Sequence, residues 1–264
     1  MLLAIDVGNT NITFGLFDGK KLAKRWSCPT LKLKMSNIKC QIKDVIICNV
    51  VPGLSKKLSA ISYEVSGKKA HFVTAENIPG IKVKIKNKKE IGADRVVDAL
   101  AAYELYGGPA IVVDFGTATT FDVVSSKGEY LGGAIAPGIS LARDALYNQT
   151  AKLPKVEVRA PKSVIGKDTV SAMQSGLVYG YVAMVEGMVA RLKSQIPNTK
   201  FLAPNPSHLP IRQAGPTPHP SYLKVIATGG FAPLICKYTK VVDRIDQELT
   251  LKGLKIVHDV EMAK

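Results

Sequence analysis

Two short stretches of the chain place an aspartate at the end of an apolar run and follow it with glycine and hydroxyl side chains. The first is Asp6-Val7-Gly8-Asn9-Thr10, and the second is Asp114-Phe115-Gly116-Thr117. Glycine lets a backbone approach a ligand closely, amides and hydroxyls donate hydrogen bonds to phosphate oxygens, and a carboxylate can hold a hydrated Mg²⁺ ion. Each stretch therefore has the composition of a phosphate-binding turn.

These turns differ from the common nucleotide fingerprints. The sequence GxxxxGK[ST] is absent, and the first turn leads into an apolar strand at residues 12–17 rather than into a helix. A second apolar strand and a glycine turn follow both copies, at Asp18-Gly19 and at Lys127-Gly128. This pattern predicts two β-hairpins, and it favours two duplicated α/β domains that face each other across a cleft. The alternative is that each turn only closes a hairpin and binds no ligand. The second copy of the motif and the further glycine turn at Thr228-Gly229-Gly230 disfavour this alternative.

Three helices are predicted to support these turns. Apolar spacing predicts a helix over residues 93–106, ended by Gly107-Gly108-Pro109, and we place the boundary between domains 1–108 and 109–264 there. A second helix is predicted over residues 139–147. A third covers residues 168–195, and its broad apolar stripe fits either a core contact or a subunit interface.

The chain is strongly basic, with a formal net charge of +15. Residues 18–95 hold 18 Lys or Arg against 6 Asp or Glu. Such a surface could attract nucleic acid, an anionic membrane or a polyphosphate, or it could be a solvated lysine face. In residues 81–86 apolar residues and lysines alternate, so a strand would turn the lysines away from the core. We find no helix that combines clustered basic residues with base-reading side chains, so a nucleic-acid partner is disfavoured.

Several other classes of protein are excluded. The longest uncharged stretch, residues 169–185, is too short to span a membrane, and the first residues do not resemble a secretory signal, so we expect a cytoplasmic protein. The four cysteines lack CxxC spacing and are expected to be buried as small apolar side chains. A proline-rich loop is predicted at residues 201–222, and a zinc site at its His208 and His219 is disfavoured because no other ligand lies at suitable spacing.

The order of phosphate turn, phosphate turn and a third glycine turn resembles the superfamily of actin, sugar kinases and heat-shock chaperone ATPases. Within it, the chain resembles the type III pantothenate kinases over nearly its whole length. The motifs that carry this resemblance are Asp6-Val7-Gly8-Asn9-Thr10, Asn49-Val50-Val51-Pro52, Gly92-Ala93-Asp94-Arg95, the stretch from Asp114 to Asp122, the stretch from Gly132 to Gly138, Gly166-Lys167-Asp168-Thr169 and Ala227-Thr228-Gly229-Gly230.

The resemblance implies two ribonuclease H-like domains of the actin-like ATPase type. It also implies a cytoplasmic homodimer that phosphorylates pantothenate with ATP, in the first step of coenzyme A synthesis, and needs Mg²⁺ and a K⁺ or NH₄⁺ ion. Two other interpretations stay open: an accessory factor for transcription, and a catalytically degenerate ATP-binding homologue.

The resemblance assigns roles to individual residues. Asp94 is implied to be the catalytic base, Asp6 to hold Mg²⁺ through water, and Asp114 to hold K⁺ or NH₄⁺. The nucleotide would contact Asp6, Val7, Gly8, Asn9, Thr10, Asn11, Ile12, Thr13, Thr117, Gly229 and Gly230. Pantothenate would contact Ile85, Gly92, Ala93, Asp94, Arg95 and Thr169, with Thr169 reaching the substrate across the dimer.

The chain departs from the family pattern in front of the Gly92-Ala93-Asp94-Arg95 motif. The family has a Tyr followed by a Pro where this chain has Ile85 and Lys88, a difference that bears on substrate affinity. The first domain is also shorter before residue 44, and residues 201–222 resemble an insertion.

Elementary electrostatics bears on the residues of this motif. At a helix start beside Arg95, the carboxylate of Asp94 is expected to stay ionised, with helix capping as its alternative role. Asp98 lies one turn later on the same face, where it would raise the pKa of its neighbour. The guanidinium of Arg95 suits a carboxylate or a phosphoryl group, and a salt bridge to Glu90 or Asp98 is its alternative.

Overall fold

The computed structural model describes residues 1–33, 41–196 and 222–263. A five-stranded sheet holds the first phosphate turn, and its central strand is buried because helices cover both faces. Strands β1 and β2 form the predicted antiparallel hairpin, and β4 lies parallel to β1 on its other side. The strand order is β3-β2-β1-β4-β5, with bounds β1 Leu2–Val7, β2 Asn11–Asp18, β3 Lys21–Pro29, β4 Asp44–Asn49 and β5 His71–Val73.

A second sheet repeats this arrangement. Its order is β11-β10-β7-β8-β9-β6, with bounds β6 Lys82–Val83, β7 Ala110–Phe115, β8 Ala118–Val124, β9 Glu129–Pro137, β10 Lys224–Thr228 and β11 Arg244–Ile245. Strands β7 and β8 form the second predicted hairpin, and β10 lies parallel to β7 as β4 does to β1. The five strands of the first sheet therefore correspond, in the same spatial order, to β9-β8-β7-β10-β11 of the second sheet. The predicted duplicated α/β architecture is confirmed.

The predicted helices are present with small shifts at their ends. The helix over residues 93–106 is confirmed, the second is one residue longer than predicted, and the long helix begins at Thr169, where Asp168 caps it by accepting a 2.8 Å hydrogen bond from Ser171 N. The bounds are α1 Ser55–Ser66, α2 Ala93–Tyr106, α3 Ile139–Asn148, α4 Thr169–Gln195, α5 Ala232–Ile235 and α6 Leu249–Met262.

Helices α2 and α6 pack against each other and connect the two sheets through one shared core. That core includes Ala4 from the first sheet, Val112 from the second, Val97 from α2 and Leu254 from α6. The C-terminal helix α6 thus packs on β1 and β4 of the first sheet, and the short strand β6 joins the second. The division into residues 1–108 and 109–264 stays a proposal.

The long helix α4 covers the second sheet on its other face. Met173, Leu177 and Val185 are buried in a core with Phe121 of β8, so this part of the apolar stripe takes the core contact, one of its two predicted roles. Cys48 is buried and Cys28 and Cys236 are half-buried, all with free thiols. Cys40, His208 and His219 lie outside the described residues, as does the proline-rich segment apart from Tyr222. Among the described residues no helix is both long and apolar enough to cross a membrane.

The crossing of α2 and α6 yields the first prediction. A methyl group on Gly253 of α6 would lie 2.6 Å from the Val97 carbonyl oxygen of α2. We expect Gly253→Ala to lower the free energy of unfolding by about 1–3 kcal/mol, because the helices must move apart. The control is Gly187→Ala in α4, where the new methyl group meets only the end of a flexible arginine. That change should raise the unfolding free energy by about 0.5–1 kcal/mol. Urea denaturation measures both, and a more stable Gly253→Ala protein would contradict the close crossing.

Candidate active site

The two phosphate turns face each other and touch. The hydroxyl oxygens of Thr10 and Thr117 lie 2.8 Å apart, at hydrogen-bonding distance, although the residues are 107 positions apart in sequence. In each turn the glycine N–H donates a 3.0 Å backbone hydrogen bond, from Gly8 to Asn11 O three residues later and from Gly116 to Ala118 O two residues later. The duplicated hairpins therefore form one cleft between the two sheets.

The cleft is a cavity of about 480 Å³. Asp6, Asp94 and Asp114 all line it, so the proposed base opens into the same space as both turns. Most of the predicted nucleotide residues line it too, namely Asp6, Gly8, Asn9, Thr10, Asn11, Thr13, Thr117, Gly229 and Gly230. Residues that the sequence separates by more than 200 positions thus meet in one site.

The turn after β10 closes against the second aspartate. Gly229 has a φ of 86°, a left-handed conformation that glycine adopts without strain. A side chain there would overlap the carboxylate of Asp114 and the backbone of Phe115. A glycine is thus required where this turn meets β7.

Other predicted residues lie outside the lining of the cleft. The side chains of Val7 and Ile12 are in the core of the first sheet, so the nucleotide could meet only their backbone atoms. Ile85 is half-buried and packs on the shared core. Thr169 is exposed at the first residue of α4.

The Gly92-Ala93-Asp94-Arg95 motif forms the beginning of α2. Gly92 is the residue before the helix and Ala93 is its first residue. Neither lines the cleft cavity, and of these four residues only Asp94 does. Their predicted contact with pantothenate stays a prediction.

The partner of Arg95 differs from both predicted alternatives. Its guanidinium pairs with Asp122 of β8 at 2.8 Å, and not with Glu90 or Asp98. Asp122 is 1% exposed and also accepts hydrogen bonds from the hydroxyls of Tyr130, at 2.7 Å, and Thr120, at 3.0 Å. Sequence reasoning missed Asp122 as a partner, although a carboxylate inside a buried strand was a signal for one.

The carboxylates of the cleft raise one another's pKa. Burial, followed by the charges of Asp94 and Asp114, raises the pKa of Asp6 to about 8. Burial, followed by the charges of Asp94 and Asp122, raises the pKa of Asp114 to about 7. The ligand-free cleft therefore retains protons at neutral pH.

The helix start and Arg95 were expected to favour the ionised form of Asp94, but the structure adds a burial effect that acts in the opposite direction on its pKa. The Arg95 backbone N–H, 2.9 Å from Asp94 Oδ1, and the Arg95 guanidinium both lower its pKa, as expected. Burial is the larger effect and leaves the pKa of Asp94 raised. A raised pKa moves a carboxylate toward the range in which a general base works best.

Comparison with known proteins agrees with this geometry. The family model described as type III pantothenate kinase matches residues 2–191. The chain belongs to this family. The type III pantothenate kinase of Moorella thermoacetica is 41% identical over 275 residues, covering 98% of this chain and 99% of the relative. That of Streptomyces griseus is 40% identical over 287 residues and covers all of both chains.

Solved structures show the same fold at low sequence identity. A Campylobacter jejuni protein named as a Baf family transcriptional activator has a TM-score of 0.60 at 19% identity, covering 99% of this chain and all of its own. A Sinorhizobium meliloti protein named as a 2-dehydro-3-deoxygalactonokinase has a TM-score of 0.54 at 9% identity, covering 98% and 96%. The fold of this family member is that of the actin-like ATPases and sugar kinases.

Sequence reasoning missed several residues that line the cleft of this family member. Arg25 and Ser27 reach it from β3, Gln247 from the residues just before α6, and Thr250 from the first turn of α6. None of them belongs to a motif. The two pairs meet only because α6 packs against the sheet that contains β3. Asp98 was expected to affect Asp94, but its place in the cleft wall was not foreseen.

The donor set of the cleft suits a hydrated cation. Among the described residues that line it, Arg25 is the one basic side chain, against the four aspartates Asp6, Asp94, Asp98 and Asp114. Within the described ranges, no group of three or more acidic, His or Cys side chains is arranged to hold a metal ion directly. A cation there would take most of its ligands from water and phosphate oxygens, which is how Mg²⁺ is usually bound beside nucleotides.

The raised pKa values lead to a prediction on proton release. A bound cation favours ionised carboxylates, so it should expel the protons that Asp6 and Asp114 retain at pH 7. We expect binding of a Mg²⁺ complex of a non-hydrolysable ATP analogue to release roughly one proton at pH 7. The release should fall toward zero by about pH 9, where the pH lies above the pKa of both groups. Calorimetry in two buffers of different ionisation enthalpy measures it.

The control for proton release compares two aspartates. Asp6→Asn should reduce the release. Asp44→Asn should leave it unchanged, because that carboxylate is paired with Lys68 and has a lowered pKa. An equal release at pH 7 and pH 9 would contradict the raised pKa values.

Proposed function

We propose that this cleft is where the family member transfers the γ-phosphoryl group of ATP to the hydroxyl of pantothenate, forming 4′-phosphopantothenate in the first step of coenzyme A synthesis. The observation that carries the proposal is that Asp94 opens into the same cavity as the two touching turns. Phosphoryl transfer needs the acceptor's base and the phosphates within one site, because catalysis depends on position and charge. The cytoplasm stays its predicted location.

The two turns are assigned to the phosphates of ATP. The turn residues Asn9, Thr10 and Asn11 and the hydroxyl of Thr117 line the cleft and would supply donors from both sheets. Gly229 and Gly230 line the cleft beside Asp114 and would meet the nucleoside. A nucleotide bound in this way contacts both halves of the molecule.

Asp94 is assigned as the general base. Its Oδ1 accepts the hydrogen bond from Arg95 N, which orients the carboxylate, and Oδ2 is the oxygen that we assign to the substrate hydroxyl. The base has only to orient this hydroxyl and take its proton late in the transfer. The ionised form of Asp94 does this work, and its raised pKa makes it a better proton acceptor.

Arg95 is assigned to the carboxylate of pantothenate. A guanidinium carries five N–H donors, and the pair with Asp122 fixes its plane without using all of them. Arg95 Nε is buried and has no hydrogen-bond partner among the described residues. Gly92, Ala93 and Ile85 are proposed to shape the rest of this pocket.

Two cations are proposed for the acidic floor of the cleft. Asp6 would hold Mg²⁺ through water, and Asp114 would hold K⁺ or NH₄⁺. When bound, these ions would neutralise charge on the phosphates and on the carboxylates. The surplus of acidic side chains in the lining supports this assignment.

A homodimer through α4 is proposed as the active form. Gly176 and Gly180 lie on the exposed side of α4, where their lack of side chains leaves space for a second helix. Val164, Ile165 and Val170, around the beginning of the helix, are exposed apolar side chains. Contact between two such surfaces would bring Thr169 of the partner subunit toward the substrate.

Replacing the base tests the assigned chemistry. Asp94→Asn keeps the acceptor for Arg95 N but removes the proton acceptor, so we expect kcat to fall by about 10²–10⁴-fold. Binding of the ATP analogue should change by less than about twofold, since a neutral amide does not repel phosphate. A coupled assay with ATP, pantothenate and K⁺ measures the rate.

The control for this test is Asp18→Asn, an exposed position at the end of β2, which should keep full activity. Equal turnover by Asp94→Asn and the parent would rule out Asp94 as the base. A parent that binds ATP but does not phosphorylate pantothenate would instead favour the degenerate homologue.

Splitting the dimer tests the role of Thr169. A side chain on Gly180 has no atom within 4 Å to meet, so Gly180→Arg should fold but block close approach of a second helix. We expect light scattering to show a monomer whose KM for pantothenate is raised by about tenfold or more, the loss of roughly one good hydrogen bond. Gly180→Ala should remain a dimer with an unchanged KM. A dimeric Gly180→Arg protein, or a monomer with the parent's KM, would contradict the proposal.

A further inference from the structure

Asp98 is a buried carboxylate in the wall of the cleft that none of the assigned roles uses. It lies four residues after Asp94 in α2, so both side chains project from the same face of the helix. The residue is 3% exposed, and it lines the cavity together with Thr250 of α6. Burial, followed by the charge of Asp114, raises the pKa of the Asp98 carboxyl well above its usual range, and the Thr250 hydroxyl acts in the opposite direction.

One oxygen of Asp98 has no protein partner. Oδ1 is buried and makes no hydrogen bond with any described residue. A buried acceptor without a partner is unfavourable, because it has lost its hydrogen bonds to water and gained none in return. The neighbouring charges increase this cost, because Asp114, Asp6 and Asp94 all disfavour a further negative charge at Asp98.

Other buried aspartates of the chain have complete sets of partners. Asp122 accepts from Tyr130 and Arg95 on Oδ1 and from Thr120 on Oδ2. Asp246, 6% exposed, accepts from Tyr106 and Lys252 on Oδ2 and from Lys252 and the backbone N–H of Glu248 on Oδ1. These aspartates hold the fold together, and both oxygens of each are satisfied within the chain.

Asp98 differs from them because its unsatisfied oxygen belongs to a residue of the cleft wall. A purely structural role in joining α2 to α6 accounts for the contact with Thr250 and leaves Oδ1 unexplained. A ligand of the cleft can supply the partner that Oδ1 lacks, because Asp98 lines the cavity. Three further carboxylates nearby favour a ligand with positive charge. The group that meets Oδ1 is therefore a cation or a water bound to a cation.

We propose that Asp98 is a positioning residue for a hydrated metal cation in the cleft. Its Oδ1 would either coordinate the cation or accept a hydrogen bond from a water bound to the cation. The proposal rests on the proposed kinase function, since that function brings the cation to the cleft. Asp98 adds a ligand from the helix that carries Asp94. One rigid helix would then fix both the cation and the base, because Asp98 and Asp94 lie on the same face of α2, one turn apart.

The test measures cation binding directly. Asp98→Asn keeps the shape and an acceptor for Thr250 but places an amide NH₂ group where Oδ1 lies. With a non-hydrolysable ATP analogue present, Mn²⁺ affinity is measured by electron paramagnetic resonance of the free ion. K⁺ affinity is measured from the concentration that half-saturates the thermal shift. We expect at least about a tenfold loss of affinity for one ion, equal to about 1.4 kcal/mol.

The two titrations identify the ion. Loss of Mn²⁺ affinity assigns Asp98 to the divalent ion, and loss of K⁺ affinity assigns it to the monovalent ion. Both affinities within about twofold of the parent would overturn the proposal. If Asp98→Asn does not fold, Asp98→Ser carries the same expectation, because a serine hydroxyl cannot replace the carboxylate charge.

Asp246→Asn is the matched control. This change weakens the hydrogen bonds of a buried aspartate whose oxygens are all satisfied within the chain. It should therefore lower Tm and leave both cation affinities unchanged. The parent's activity toward pantothenate is measured in parallel. An inactive parent contradicts the kinase function while the titrations still decide the role of Asp98, and an active parent with unchanged titrations in Asp98→Asn removes that role alone.

Discussion

Repulsion among four carboxylates within one cleft is the constraint on which this structure depends. Asp6 and Asp114 come from equivalent strand ends of the two sheets, and Asp94 and Asp98 come from the helix between them. Like charges in an enclosed site raise one another's pKa, and Arg25 is the one basic side chain among the described lining residues. The folded chain therefore carries an electrostatic cost that protons reduce and that a cation bound with the nucleotide would also reduce.

The position of α2 explains how the fold tolerates this cost. The helix lies in the core shared by both sheets, where α6 packs against it, so the aspartates of its first two turns cannot move away from the cleft. Arg95 points instead to Asp122 of the second sheet, and this pair fixes the beginning of the helix. The same packing that buries α2 thus holds the carboxylates of Asp94 and Asp98 and the guanidinium of Arg95 in fixed relation to both turns.

The local elements of this fold could be predicted from sequence because local chemistry specifies them. The glycine turns specified both hairpins, and Gly107 marked the end of α2 at Tyr106. The tertiary partners could not be predicted in this way. Asp122 as the partner of Arg95, β6 in the second sheet and α6 on the first sheet all depend on contacts between distant segments.

The protonation of the site was also beyond local reasoning. The helix start and Arg95 act on Asp94 in the predicted direction, and burial outweighs them. Burial is a property of the assembled cleft and not of the motif. For the same reason, sequence spacing placed Asp98 beside Asp94 but did not reveal that one of its oxygens lacks a partner.

The basic surface and the acidic cleft act at different distances. Lys20, Lys21 and Lys24 are exposed, and a net charge of +15 attracts an anionic nucleotide over roughly the Debye length of about 8 Å at physiological ionic strength. Inside the cleft the sign is reversed, so a phosphate chain without a cation meets repulsion from the carboxylates. A nucleotide that arrived with its cation would neutralise that repulsion. The outer charge would thus favour encounter with anions in general, and the inner charge would select the anions that bring a cation with them.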